Sequence, residues 1–330
     1  MLANQFTKLT SQLGHMVHFL QAARRHGKPE AVIFYGAGIG DDLMCTTILH
    51  EMKRRHQGPV WLMSRHAVLF EGNPDASQII PESWWLFKHL HWFGVRGIDP
   101  HWANYNEEQD RDILVGDNSA FQVMCEAAGI TGEIELRPWM WLTDEEKQAG
   151  KLADKQIVIH STGMAARFAI PTKEWYPERF QAVVDGLGQK YNFIQLGMES
   201  DPLLEGCLDL RGKTNIRQSA AIVSQSQLLI GQVGFLMHIA RAVDCRAVIV
   251  VGGREDPAIY SYTCFENICS PMECSPCWRG VYCPYDMECM KRISTSDVIE
   301  AAERQLTTQG PLHVDTAFIG SQDSTIPCVL

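Results

Sequence analysis

Two stretches of this chain repeat one pattern: a short apolar run, a loop, then a segment with helical spacing. That repetition restricts it to α/β folds built on parallel sheets. Ala31-Val32-Ile33-Phe34-Tyr35 runs into Gly36-Ala37-Gly38-Ile39-Gly40, and residues 41–55 continue with helical spacing. Gln156-Ile157-Val158-Ile159-His160 starts the pattern again. Runs that are apolar throughout predict strands covered on both faces. Further strands are expected at residues 59–63, 113–115, 192–197, 228–231 and 247–251, with helices over 5–26, 119–129 and 175–190. A chain of 330 residues exceeds one ordinary core. The charged stretch 143–155, with Asp144-Glu145-Glu146-Lys147, is the expected boundary between domains at 1–148 and 149–330.

Composition narrows the classes of function. Hydrophobic residues make up 45% and charged residues 21%, so a folded core rather than disorder is expected. The formal charge of −10 argues against a broad nucleic-acid surface, which needs clustered Lys and Arg. It also disfavours purely electrostatic attachment to an anionic membrane, local basic clusters aside. No run approaches the ~20 apolar residues that span a bilayer, so no transmembrane segment is expected. The 16–20 run is too short for a signal peptide, and the eleven cysteines read as reduced thiols of a cytoplasmic protein. From Gly310 the chain turns polar and irregular, as a frayed end or a surface strap would.

The loop at 36–40 lacks both the full dinucleotide spacing and the Lys-Ser/Thr of a P-loop, so by itself it is equally a tight turn feeding a helix. The segment entered from this loop is more specific. Gly40-Asp41-Asp42-Leu43-Met44-Cys45-Thr46-Thr47-Ile48-Leu49 resembles the opening of glycosyltransferase family 9, the heptosyltransferase family. His66 to Pro74 is similar to its L-F-x-x-N-P segment, and Lys173-Glu174-Trp175-Tyr176-Pro177-Glu178-Arg179-Phe180 to its K-x-W-x-x-E-x-F element. Met237-His238-Ile239-Ala240-Arg241-Ala242 resembles M-H-x-A-x-A, and Gly252-Gly253-Arg254-Glu255-Asp256-Pro257 the loop after it. The order and spacing of these matches, over roughly residues 31–305, carry the resemblance.

The resemblance implies the GT-B fold, two Rossmann-like doubly wound domains facing a central cleft. It implies inverting, metal-independent transfer of a sugar from a nucleotide-sugar, ADP-heptose foremost, to an acceptor hydroxyl. The acceptor would be a saccharide, a lipid-linked glycan as in lipopolysaccharide biosynthesis, or a protein hydroxyl. The protein would then be cytoplasmic, with peripheral attachment at the inner face of the membrane open to it. Asp41 would be the catalytic base, since inversion needs one carboxylate to take the acceptor's proton. An Asp opening a helix is otherwise a cap or dipole partner. Gly40, Ser161, Thr162, Lys173 and the helix beginning near Gly234 would bind substrate, the last four around the diphosphate. His238 would contact the donor, or else be a packed core histidine. Glu199 is a candidate for the ribose, or an exposed loop carboxylate.

The pattern breaks in three places. Thr47 stands where the family has Pro. Typical members carry an Asp five residues before the helix His, and here that position is Val233, beside Gln232. Phe235 replaces a small residue. The donor sugar would therefore be held differently, and a nucleotide-sugar other than ADP-heptose fits as well. A catalytically degenerate nucleotide-sugar-binding or scaffolding protein, or an epimerase on the same scaffold, are the competing readings.

Two local features stand apart. Cys274, Cys277, Cys283 and Cys289 have the spacing C-x2-C-x5-C-x5-C inside a cysteine-rich segment, 264–289. Four thiolates so spaced can close on one structural Zn or Fe, and would not be catalytic; buried or oxidised cysteines are the alternative. Residues 84–93, Trp84-Trp85-Leu86-Phe87-Lys88-His89-Leu90-His91-Trp92-Phe93, are expected to be half-buried core, and otherwise an acceptor site or subunit contact.

Overall fold

The computed structural model describes residues 2–36 and 38–320. In the first lobe, α1 (Leu2–His26) precedes β1 (Ala31–Ile33), α2 (Ile39–Arg54), β2 (Val60–Met63), β3 (Gln78–Ile80), α3 (Trp84–Lys88) and β4 (Arg96–Ile98). The four strands form one parallel sheet in the order β3-β2-β1-β4. Strands β1 and β2 are buried along their whole length, which is why both read as unbroken apolar runs. The order reverses at β1, so a crevice opens outside the carboxyl ends of β1 and β4.

The lobe continues through β5 (Ala103–Asn106), β6 (Arg111–Leu114), α4 (Ala120–Ala127) and β7 (Gly132–Glu135). The strand expected at 113–115 is thus part of β6, in an antiparallel hairpin with β5 rather than in the parallel sheet. Its alternating exposed and half-buried residues show the reason, since only one of its faces is covered. The charged stretch after it holds a short helix, α5 (Asp144–Ala149). Thr143 and Glu146 close a capping box at its start, satisfying two otherwise orphaned amides.

The second lobe runs β8 (Gln156–Ile159), α6 (Pro177–Leu187), β9 (Asn192–Gln195), β10 (Cys207–Asp209), α7 (Ile216–Ser224), β11 (Leu228–Gln232), α8 (Phe235–Ala242) and β12 (Ala247–Gly252). It ends with α9 (Pro257–Tyr260), β13 (Glu266–Cys269), α10 (Glu288–Arg292) and α11 (Thr295–Thr307). Its sheet has the order β10-β9-β8-β11-β12-β13, all parallel, with its own reversal between β8 and β11. The tail is not irregular throughout. β14 (Thr316–Ile319) returns to the first lobe and pairs antiparallel with β7, placing Thr316 opposite Glu135. Residues 321–330 lie outside the described residues.

The lobes meet on α2, which is buried on nearly every side because it lies between the first sheet and α8. Its polar residues are bonded accordingly. Thr46 Oγ1 accepts the Trp139 amide at 2.8 Å, and Thr47 Oγ1 donates to the Arg137 carbonyl at 2.6 Å. The hydroxyl that replaces the expected proline thus holds the segment leading to the second lobe. A second tie is Arg217 of α7, whose guanidinium donates to Trp141 O at 2.8 Å, Glu71 O at 3.2 Å and Glu146 Oε2 at 2.6 Å. Replacing it by Met leaves two carbonyls and a carboxylate without their donor. Arg217→Met is expected to lower unfolding stability by about 2 kcal/mol in urea titration; an unchanged midpoint would show that water replaces these bonds at no cost.

Candidate functional site

The two sheet reversals face each other, and Asp41, Lys173 and His238 lie near one another between them. Asp41 and Asp42 open α2 beyond β1, but they do different things. Asp42 is buried, and its Oδ2 accepts from Ser64 Oγ at 2.5 Å and pairs with His66 Nδ1 at 2.8 Å. Asp41 is only half-buried, and its Oδ1 accepts the indole N–H of Trp102 at 3.1 Å. Trp102 comes from the loop after β4, across the first crevice. Burial pushes the Asp41 carboxyl above its ordinary range; Trp102 pulls against it, the neighbouring Asp42 adds to it, and Lys173 opposes. The Tyr35 phenol is raised well above its usual value by burial and then by Asp41.

From Asp41 the contacts run into the second lobe. Trp102 stacks on Tyr260 with ring centroids 4.6 Å apart. The Tyr260 hydroxyl lies 3.1 Å from His238 Nε2, and the Tyr262 hydroxyl 2.6 Å from His238 Nδ1. Both nitrogens of this fully buried imidazole are therefore occupied. A β-carbon on Gly40 would stand 3.0 Å from His238 Cδ2, so the glycine is what lets the start of α2 meet α8.

Lys173 enters from the side. Its Nζ is 2.6 Å from Glu255 Oε1 and 5.7 Å from the centre of the Tyr260 ring. Burial lowers its pKa, and Glu255 opposes that. Glu255 Oε1 also accepts from Arg254 Nη1 at 2.7 Å, and Arg254 Nη2 reaches Asp112 of β6 at 2.6 Å. Two buried polar atoms here have no hydrogen-bond partner: Ser161 Oγ, just beyond β8, and Glu255 Oε2. Each is a position that a polar ligand would complete.

The remaining expected residues divide between the cleft and its surroundings. Thr162 Oγ1 accepts the Met164 amide at 3.1 Å beside Ser161. Gly234 caps α8 in an extended conformation, so that helix's first amides open at the second crevice. Gln232, next to the missing acid, is structural: it accepts the Trp175 amide at 3.2 Å and donates to Glu174 at 2.5 Å. Glu199 stays outside this group, exposed in the turn after β9 beside Arg211.

The cysteine quartet lies after β13, with Cys289 in the first turn of α10. Cys274 and Cys289 each feel the charge of Cys277 and Cys283, yet no three Cys, His, Asp or Glu side chains among the described residues converge as metal ligands. Cys283 Sγ accepts the Met287 amide at 3.4 Å. The segment's clearest contacts are mechanical. The Val281 and Tyr282 amides donate to the Asp110 carboxylate at 2.8 and 2.7 Å, and Trp278 O accepts the Asp112 amide at 2.9 Å. It thereby straps the second lobe to the β5–β6 hairpin.

Trp102, Tyr260, Tyr262, Arg254, Glu255 and Asp112 do not stand out in the sequence as site residues. Arg254 and Glu255 lie inside a family-like motif; Trp102 follows Asp99-Pro100-His101, which carry no motif.

The His238 environment has a measurable consequence. Burial first, then Lys173, push its pKa down to about 3. The unfolded chain, with a histidine pKa of ~6.5, takes up the proton first, so this contribution is whole above that pH and drains as pH falls toward 3. Between pH 6.5 and 4.5, His238→Gln is expected to lose about 2 kcal/mol less stability than the parent, by denaturant titration at each pH. Parallel curves would show that the imidazole is not held neutral.

No family model and no curated protein matches this chain in sequence. Solved structures do match its fold. A family 9 glycosyl transferase from Veillonella parvula superposes with a TM-score of 0.63 at 17% identity, covering 84% of this chain and 96% of its own. The E. coli ADP-heptose lipopolysaccharide heptosyltransferase II gives 0.62 at 14%, covering 84% and 98%. TibC, an iron-containing dodecameric glycosyltransferase of enterotoxigenic E. coli, gives 0.66 at 14%, covering 84% and 76%. Two parallel sheets with facing reversals, joined on α2 and α8, are thus the GT-B fold of the family 9 glycosyltransferases and heptosyltransferases.

Proposed function

We propose that the protein is an inverting glycosyltransferase that moves a sugar, heptose foremost, from a nucleotide-sugar to an acceptor hydroxyl. One observation carries this reading: Asp41, half-buried and hydrogen-bonded by Trp102, lies in the cleft between the two sheet reversals, with Lys173 of the other lobe close enough to bias its charge. In this reading residues 1–148 take the acceptor and residues 149–330 the donor. The acceptor oxygen attacks the anomeric carbon as Asp41 takes its proton. The bond from that carbon to the diphosphate oxygen breaks, and the nucleoside diphosphate leaves. Ser161, Thr162, Lys173 and the amides at Gly234 receive the developing charge. Gly40 gives room for the lobes to close, and His238 positions Tyr260 and Tyr262 instead of touching the donor. We place the reaction in the cytoplasm.

The missing partner of Ser161 supports this reading, because a diphosphate oxygen would supply it. Ser161→Ala is expected to leave stability unchanged or slightly raised, since it deletes an unsatisfied group. It should also weaken donor binding by about tenfold, the worth of a hydrogen bond to a charged oxygen. Undiminished binding would take the diphosphate away from Ser161.

Asp41→Asn is expected to cut turnover by at least about a hundredfold while nucleotide-sugar binding persists. In the parent, activity needs the carboxylate, so the acid limb of kcat/KM should fall at a pH above the ordinary Asp range, in the direction burial shifts it. The donor is tested by thermal shift with ADP-, GDP-, UDP- and dTDP-sugars. Stabilisation by ADP-heptose supports heptose transfer; another nucleotide-sugar moves the substrate and keeps the mechanism; no response to any removes the reading.

A further inference from the structure

The chain is acidic overall, but its charge is not evenly spread. It holds 39 Asp and Glu, yet residues 1–29 contain none and neither do residues 83–98. The fixed charges of these two segments are all positive: Lys8, Arg24, Arg25, Lys28, Lys88 and Arg96. The fold then packs the segments together. Phe19 of α1 meets Phe93 with ring centroids 5.1 Å apart, and His15 and His18 share a crevice with Leu86. Lys28 Nζ sits 3.2 Å from where a β-carbon on Gly94 would stand, beside Trp92 and Phe93.

This basic pole also exposes apolar groups. Leu13, Val17 and Leu20 are 46–48% exposed, at the 4 and 3 spacing that aligns them in one stripe, and Arg24 continues it. Trp92 is 61% exposed and Trp84 48%, the latter under the Lys88 ammonium at 4.8 Å. No helix among the described residues is long and apolar enough to cross a membrane. A basic helix with an outward aliphatic stripe, next to exposed tryptophans, instead matches the composition of elements that lie in a bilayer interface.

We propose that α1 and the 84–93 turn together form a docking face for an anionic lipid bilayer. Charge complementarity selects the occupant. A second copy of the chain meeting through this face would set like charges against each other. Nucleic acid would have no use for the aliphatic stripe, whereas acyl chains do. The positive pole draws in the anionic surface, while Leu13, Val17, Leu20 and Trp92 enter the headgroup boundary.

The test is sedimentation of the full chain with phosphatidylcholine vesicles, with and without phosphatidylglycerol, at low and high salt. Binding is expected only when phosphatidylglycerol is present, and it should weaken as salt rises. Arg24→Glu/Arg25→Glu should weaken it by at least about fivefold per charge removed. Leu13→Ser/Val17→Ser/Leu20→Ser should weaken it by at least about tenfold through lost apolar burial. All these side chains are exposed, so both variants should keep the parent's thermal unfolding and nucleotide-sugar binding. Absence of vesicle binding overturns the proposal, as does binding indifferent to phosphatidylglycerol or to both sets of changes. A concentration-dependent dimer abolished by the aliphatic variant, with no vesicle binding, overturns it in favour of self-association.

Discussion

The site depends on how closely α2 approaches α8. Two parallel sheets each leave a crevice where their strand order reverses, and either crevice alone is half a site. Gly40 against the edge of His238 sets the distance at which the halves face each other. A β-carbon at 40 would oblige the His238 ring or the helices to give by a few tenths of an ångström, right beside Asp41. The surrounding ties, Thr47 on the Arg137 carbonyl, Arg217 on the linker and the 278–282 strap on the hairpin, hold that approach from three sides. None of them touches Asp41, but each fixes what Asp41 faces.

Within that frame the charges are arranged for a ligand of mixed character. Lys173 and Arg254 share one oxygen of Glu255, and Arg254 continues to Asp112, so the cations are already partnered across the lobes. A diphosphate arriving here meets one buried hydroxyl without a partner, Ser161, and helix amides at Gly234, with Lys173 close by. Glu255 Oε2, also unpartnered, asks for a donor rather than an acceptor, as a sugar hydroxyl or a water would be. The carboxylate oxygen needs a donor and the hydroxyl can donate to an acceptor, so one ligand bearing both phosphate and hydroxyl groups would complete both.

The fold is legible in the sequence because its central strands are buried on both faces and so stand out as unbroken apolar runs, 31–35 and 156–160 among them. Elements with one covered face are harder to place. β6 reads as a member of the parallel sheet because a half-exposed hairpin strand and a short parallel strand look alike over three residues. The return of β14 to β7 escapes the sequence since its burial comes from a partner nearly two hundred residues away, and local pattern carries no trace of that. Asp41, Lys173 and His238 emerge from the order of motifs. Trp102 and Tyr260 do not, as their value lies in stacking across the cleft, a relation no spacing encodes. The cysteines are legible only as a spacing; left-handed turns at Trp278, Asp286 and Met287 accompany the path of their segment toward the hairpin, which no spacing encodes.

The departures from the family pattern acquire physical content in the structure. Thr47 can donate a hydrogen bond that proline cannot, and it spends that bond on the segment entering the second lobe. Gln232 holds the Trp175 amide and Glu174, so the backbone around Gly163, whose amide also reaches Glu174 at 2.9 Å, is set by the residue beside the missing acid. Val233 is buried and apolar, so its own side chain offers no carboxylate there. The carboxylate with an unpartnered oxygen comes instead from Glu255, one loop away and already anchored by two cations. Two cations on one oxygen fix the direction of this carboxylate. The architecture is therefore shared with the family 9 structures, while the buried carboxylate with an unpartnered oxygen stands at a different strand end from Val233.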